Sequence, residues 1–556
     1  VNQPDGHLTT AEAIAASLVA GLCAVIVVPY AIARSGGTIP LSPILIALST
    51  VTAFAGALAW FTRGSSANRD LLPFLFVVAG VFAALIALGW PELLPLGGGS
   101  DLAHHLQLVD YIERQWRLPQ GPLAVQLIGG MVSYTPGVHL LAALVGNWTG
   151  RDGLHAIYPV LAFSAAVKAG IVFLIAQRLL PPDRAAMASA VAASLLLFLP
   201  FDYFVGTFVR ASFFAQALSE MFAVAMWWAL VVWSERPSTK AAAIYPLAGM
   251  GVFLTWPVWI GPPVLALMAL LWMRRPGLWL RHAALALIPI AIVALAHTAG
   301  RTESAAIVQT GGSTFLPTIA RFSWPFLVLS ILGFAFTIRR RELHVTFILL
   351  AAIALQAAAL FVVARRAGAE MPYMALKMMH LAVYPMAVLA AIAIQVCCRA
   401  LIERATSARL VRWLPGDPAA WVCWAIVIVL SAAVLRIVAA GPPQTPIITE
   451  DLFLAGRWAR LHVPTRCIEY LVPQDASAYW LHHAVLGNPS YPPSGTPTPV
   501  FSYRDAVVRW ITRTSFPFAI ADLRVLPREA RDEMEERARF GAIIVGARAD
   551  GQRACQ

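Results

Sequence analysis

Charge is what this chain of 556 residues has least of: Asp, Glu, Lys and Arg together make up 13% of it, against 59% hydrophobic residues. A water-soluble fold cannot hide that much apolar surface, so the chain reads as a polytopic membrane protein; its mean hydropathy of +0.71 agrees. Cysteine is also scarce, at six residues. Cys23, Cys397, Cys398 and Cys423 lie in or beside apolar runs, where Cys behaves as a small apolar side chain, and no zinc-type pairing occurs. Cys467 and Cys555 lie in a polar tail and would pair only if that tail faces an oxidising compartment. No P-loop, G-x-G-x-x-G fingerprint or H-E-x-x-H motif is present, which leaves nucleotide hydrolysis, dinucleotide chemistry and zincin proteolysis without their usual machinery. No basic segment precedes the first apolar run, which therefore reads as a retained span and not a cleaved signal. Acidic residues are outnumbered 29 to 41, for a net charge of +12. In a soluble protein that excess would suggest nucleic acid. Here the cations fall between apolar runs, so membrane orientation explains them and no nucleic-acid partner is expected.

Apolar runs of membrane-spanning length are expected near 10–33, 41–62, 70–90, 153–178, 184–204, 211–233, 240–256, 258–273, 281–299, 323–338, 343–364, 372–396 and 418–440. That is an all-α bundle of about thirteen spans over 1–440, followed by a small exterior α/β domain over 441–556. Every second connection is rich in Arg, for example Arg178 with Arg184, Arg339–Arg341 and Arg399 with Arg404. The positive-inside bias puts those connections and the N-terminus in the cytoplasm. The first large loop, 94–152, and the tail are then outside. Alanine-rich spans and the preference for Arg over Lys point to a bacterial cytoplasmic membrane. In the tail, short β-type runs occur at Cys467–Val472 and Ala542–Val545, with helical patterns at 450–461 and 527–539.

The stretch Gly97-Gly98-Gly99-Ser100-Asp101-Leu102-Ala103-His104-His105 sets a carboxylate and two imidazoles where a span meets water. Intramembrane and rim ionisable groups need a reason. The plainer reading is a helix N-cap with glycines as the preceding turn; the chemical one is a catalytic rim with Asp101 as a base. Leu102, Leu106, Val109 and Ile112 recur at helical spacing after it, so 101–117 is expected to lie along the membrane surface. Tyr134-Thr135-Pro136-Gly137-Val138-His139 opens a second apolar stretch too short to span, expected as a juxtamembrane or re-entrant helix.

These residues resemble the GT-C superfamily of glycosyltransferases that use polyprenyl-phosphate sugars, in particular its protein O-mannosyl-, aminoarabinose- and arabinofuranosyltransferase-like members. Asp101 with His104 and His105 matches the position of the family's loop aspartate, and Tyr134-Thr135-Pro136-Gly137 is similar to its Tyr-Pro-Pro element. Tyr373, Lys377, His380 and Tyr384-Pro385 look like the late-span set that meets the lipid phosphate. The resemblance implies transfer of a sugar from a lipid-linked donor to an exterior glycan, lipid or protein acceptor. Asp101 lacks the adjacent second acid that several members carry, and a hard divalent cation needs several oxygen ligands, so no cofactor or metal is assigned.

Such a transfer needs a base for the acceptor's proton, a partner for the departing phosphate and a held sugar ring. Asp101 is the candidate base of an inverting displacement. His104, His105, Tyr134, His139, Tyr373 and His380 are candidate substrate contacts, against the bland reading of interfacial and packing side chains. Lys377, with Arg365 and Arg366 nearby in sequence, is a candidate phosphate contact, against simple snorkelling. Arg210 and Glu220 are candidates to line the cavity, and Lys168, near mid-span, is expected either to pair with Glu220 or to face a cavity. Trp256, Trp259, Trp324 and Tyr373 fit an aromatic belt. A transporter or flippase of lipid-linked sugars is the main alternative. It would show matched inverted repeats and broken helices at the midplane, and the sequence shows no convincing internal repeat. A non-catalytic membrane scaffold would leave the Asp-His-His rim unexplained.

Overall fold

Inside a bilayer no water is available to the backbone, so apolar segments close their hydrogen bonds within helices. The computed structural model describes residues 8–37, 43–63, 70–96, 100–235, 237–273, 277–299, 314–407, 417–441, 446–492, 499–514 and 516–548. Among the described residues nine helices are long and apolar enough to cross a membrane: Thr10–Arg34, Ile44–Thr62, Leu71–Gly89, Gly153–Leu179, Phe214–Glu235, Leu280–Thr298, Arg341–Arg366, Tyr373–Arg404 and Pro418–Ala439. The other four of the thirteen expected spans are helical but short: Ala186–Leu196, Thr239–Thr255, Pro257–Met273 and Trp324–Thr337. A helix rises 1.5 Å per residue and needs about 20 residues to cross the hydrocarbon. Pro200 follows the first of these, and the chain continues as the single turns Phe201–Phe204 and Gly206–Val209. Trp256-Pro257 breaks the chain between the second and third.

Burial sorts the helices into core and rim. The apolar stretch of Phe214–Glu235 is completely buried and that of Gly153–Leu179 is 89% buried, whereas those of Ile44–Thr62 and Pro418–Ala439 are only 11% and 17% buried. The first pair is the bundle centre; the outer helices turn Leu, Val and Ile outward, as lipid contact requires. Trp324–Thr337 lies so close to Met379–Ser407 that a Cβ on Gly333 would collide with the Leu389 carbonyl. At one end Arg178 bridges Glu12 and Glu235 and so ties Thr10–Arg34, Gly153–Leu179 and Phe214–Glu235 together.

The 94–152 region folds against this bundle as the rim helix, Ser100–Gln115, followed by Gly121–Ser133 and Gly137–Trp148, which meet at a bend of 115°. The sharp bend falls at Tyr134-Thr135-Pro136, where proline cannot continue a helix.

Residues 446–548 carry a four-stranded sheet of β1 (Ile468–Leu471), β2 (Phe518–Asp522), β3 (Met534–Phe540) and β4 (Ile543–Arg548) in the order β1-β2-β4-β3. β1 and β2 are parallel; β2–β4 and β4–β3 are antiparallel. The helix expected over 527–539 is a correction: it stops at Asp532, and Met534–Phe540 is an edge strand. Charged residues such as Glu535, Arg537 and Arg539 read as a solvated helix, but pairing with β4 overrides that local preference, and the same charges protect the open edge. β2 was not among the expected strands. Cys467, just before β1, is disulfide-bonded; Cys555 lies outside the described residues.

Candidate active site

The rim helix buries Leu102, Leu106, Val109 and Ile112 as its spacing predicts. It begins at Ser100, so Asp101 stands in its first turn, where the partial positive charge of the helix end favours a carboxylate. The side chain of Asp101 and the preceding glycines lie outside the described residues.

One turn on, His105 is buried and its Nδ1 lies 2.9 Å from Nε2 of His139, with the two rings stacked. Tyr134 meets both imidazoles edge-on, with centroids 5.2 Å and 5.8 Å away. The bend at 134–136 makes this possible, and Thr135 Oγ1 pins it by donating to the Thr255 carbonyl at 2.5 Å. Burial, then Lys377 and His104, hold the His105 imidazole down to about 3, so it is neutral at physiological pH. The electrostatic influence of Lys377 on His105 joins two residues 272 positions apart.

Lys377 is almost wholly buried, and its ammonium sits over three rings: Phe213 at 3.8 Å, Tyr373 at 4.3 Å and Trp256 at 4.6 Å from the centroids. Each ring's negative face attracts the cation and offsets part of its lost hydration. Trp256 is also next to Tyr134, at 6.0 Å between centroids. His105, His139, Tyr134, Tyr373 and Lys377 therefore form one contiguous group. Trp256 reads in sequence as a belt residue and Phe213 carries no signal at all; only packing shows that they cage the lysine.

His380 lies one layer deeper. Its ring is surrounded by Tyr203, Phe213, Trp259 and Phe315, and its Nδ1 is 3.1 Å from Thr207 Oγ1 and 3.7 Å from Glu220 Oε1. Glu220 binds Lys168 and accepts from Tyr384, and all three are buried. Glu220 thus belongs to a charged knot under the site, and Lys168 is its partner. Arg210 is separate from that knot: it pairs with Asp202 at 2.6 Å, and Arg321 reaches the same carboxylate at 3.5 Å. Arg365 and Arg366 are not brought to Lys377. Both are exposed at the end of His344–Arg366, and Arg365 donates to the Glu370 carbonyl. Trp324 is exposed, as a belt residue is.

The sheet-bearing region also reaches the rim. Tyr479 Oη lies 3.2 Å from His104 Nε2, and Gln107 is held by the Asn488 carbonyl and by Ser490. Arg460 forks onto Asp110 at 2.6 and 3.2 Å. Gly487 adopts φ +70° directly over Asp110, Arg114 and Arg460, a conformation and an approach that a Cβ would obstruct. His483, held at about 4 chiefly by burial, also feels His104. Tyr479 and His483 gave no sequence signal, because they are more than 360 residues beyond the rim helix. Among the described residues no three His, Cys, Asp or Glu side chains converge to hold a metal ion.

The overall fold is similar to that of a solved form of the arabinofuranosyltransferase AftD from Mycobacteria, with a TM-score of 0.50 at 15% identity. The chain has the fold of the GT-C glycosyltransferases. The AftD alignment covers 87% of this chain and 42% of that one, so the chain spans less than half of AftD's length. The Archaeoglobus fulgidus oligosaccharyltransferase in its apo form gives a TM-score of 0.46 at 12% identity over 81% of this chain and 69% of that one. A second structure of that protein, with an inhibitory peptide and a dolichol-phosphate, gives 0.44 at 12% over 86% and 74%. At the level of sequence, no family model and no curated protein matches.

Proposed function

We propose that this GT-C-fold chain is an integral-membrane glycosyltransferase that moves a sugar from a polyprenyl phosphate to an exterior acceptor with inversion at the anomeric carbon. The observation that carries this reading is the caged ammonium of Lys377 beside the neutral His105–His139–Tyr134 group, whose His105 is on the helix that has Asp101 in its first turn. A cation in a dry, ring-lined setting suits a lipid phosphate, and neutral imidazoles and a phenol suit sugar hydroxyls.

In the proposed reaction the acceptor hydroxyl oxygen attacks the anomeric carbon. Its proton passes to the Asp101 carboxylate, and the carbon–oxygen bond to phosphate breaks with its electron pair leaving on the phosphate. Lys377 compensates the charge of that phosphate as it departs. His104, His105, His139, Tyr134 and Tyr373 hold donor and acceptor. His380 and Glu220 act beneath them as a rigid floor. Orientation is part of the same reading: the Arg-rich connections are cytoplasmic and the sheet-bearing domain is exterior, which the disulfide at Cys467 supports.

The test is Asp101→Asn in the full chain, reconstituted with lipid-linked sugars. Transfer should fall by at least about a thousandfold while donor binding is retained, since the amide keeps the shape but cannot accept the proton. Unchanged transfer would remove Asp101 from the mechanism.

A further inference from the structure

A cavity of about 570 Å³ opens where the rim helix, the 147–155 turn and the helix Glu450–His462 meet. That volume is within the range of about 300–1,000 Å³ usual for small-molecule sites. None of its lining residues belongs to the group around Lys377. Asp110 lies five residues beyond His105, about 7.5 Å along the helix and about 140° round it. The two side chains accordingly leave on different faces: His105 meets His139, and Asp110 meets Arg460.

The lining selects one class of ligand. Arg114, Arg151 and Arg457 face the carboxylates Asp110, Glu113, Asp152 and Glu450. Glu113 is raised to about 8, first by burial and then by Asp152, with Gly153 N–H and Arg457 opposing, so it is largely protonated at neutral pH. The remaining acids are each engaged: Asp110 by Arg114 and by Arg460 from outside the lining, Asp152 by Arg457 at 2.8 Å and Glu450 by His155 at 2.8 Å. What remains is a set of planar donors and acceptors beside two aromatic side chains, Trp116 and the buried Phe453. Trp116 caps the rim helix at φ +47°, a left-handed conformation that costs a bulky residue on the order of 1–3 kcal/mol and is retained where a site needs it. His155 also lines the cavity: its Nε2 is 2.8 Å from Glu450, while its buried Nδ1 has no hydrogen-bond partner among the described residues.

We propose that this cavity is a second glycan-binding site, for a short neutral oligosaccharide that stacks on Trp116 and is hydrogen-bonded by Arg151, Asn147 and His155. As the holding site for an acceptor glycan it rests on the transferase reading above; as a binding site it stands separately. Neutral hydroxyl-rich rings suit this lining because Arg151, Asn147 and the His155 Nδ1 offer hydrogen bonds and the indole offers an apolar face to the ring's C–H side.

The experiment uses the purified full chain in nanodiscs, an array of neutral oligosaccharides, and calorimetric titration with the best-bound trisaccharide. Wild type should bind saturably. Trp116→Ala and, independently, the exposed-residue variant Arg151→Ala should each weaken binding at least tenfold, while Lys377→Met leaves it unchanged. Four results overturn the proposal: no neutral oligosaccharide binds; binding survives both cavity variants; Lys377→Met abolishes it; or inorganic phosphate competes for the site. The two readings fail separately. A chain that binds trisaccharide through Trp116 but neither binds polyprenyl phosphate nor transfers sugar keeps the second site and loses the transferase. A chain that transfers sugar but binds oligosaccharide only through the Lys377 group does the reverse.

Discussion

Replacing Lys377 by Met keeps a long, flexible apolar side chain among Phe213, Tyr373 and Trp256 and removes only the charge. The cage should survive, since its rings pack as well on a thioether as on a lysine stem. What is lost is the charge-assisted contact to the donor phosphate. Such a contact contributes about 1.5–3 kcal/mol, which at about 1.4 kcal/mol per decade is roughly 10- to 150-fold in donor affinity. Lys377→Arg keeps the charge, but a planar guanidinium stacks on one ring where an ammonium sits among three, so a partial loss of under about tenfold is expected. The assay is competition of polyprenyl phosphate against a fluorescent lipid-phosphate probe on the reconstituted chain. A second readout does not depend on turnover. Lys377 helps to suppress protonation of His105, so Lys377→Met should raise the His105 pKa, followed by NMR of a labelled imidazole; burial keeps it below the ordinary value. Unaltered donor affinity with a shifted His105 pKa would refute the phosphate role and leave Lys377 as a structural cation.

Other perturbations probe the supports of the site. Glu113 has a folded-state pKa of about 8 against an ordinary 4.5. The folded chain therefore holds a proton that the unfolded chain releases, and stability should fall as pH rises from about 5 to 8, by at most about 1.4 kcal/mol per pH unit. Thermal unfolding of Glu113→Gln should lack that slope; an identical slope in both proteins would show that Glu113 does not titrate so. Lys168→Met or Glu220→Gln alone strands a buried charge and should cost about 3–5 kcal/mol, whereas the double variant should recover much of it. Additive losses in unfolding would deny the coupling. Tyr479→Phe removes the hydroxyl beside His104 and should slow transfer several-fold without changing donor affinity; equal transfer rates would confine that contact to packing.

Much of the plan was legible because bilayer physics acts locally. The nine helices of membrane-crossing length and apolarity among the described residues, and the amphipathic rim helix, follow from run length and 3.6-residue spacing alone. The bend after Tyr134 follows from Pro136, and the disulfide at Cys467 was one of two outcomes left open. Where local signals competed with packing, they misled. Helix Ala186–Leu196 falls short of a span because Pro200 and the turns after it fold into the bundle. Met534–Phe540 carries a helix-like charge pattern and becomes a strand because β4 offers a partner. Arg365 and Arg366 are close to Lys377 in sequence and remote in contact, since the break before Tyr373 turns the chain.

By itself the sequence determined that this chain enters a membrane, which connections carry the positive charge, and that an acid and two imidazoles stand at a span's end. Those are properties of single segments, set by transfer free energy and helical period. The tertiary structure alone decided that Phe213, Trp256 and Tyr373 enclose Lys377, that Lys377 acts on His105, and that Glu220 meets Lys168 and not Arg210. Apart from Tyr373, one turn from Lys377, such contacts join residues tens to hundreds of positions apart. Their energies depend on side-chain packing between helices, which no local pattern encodes.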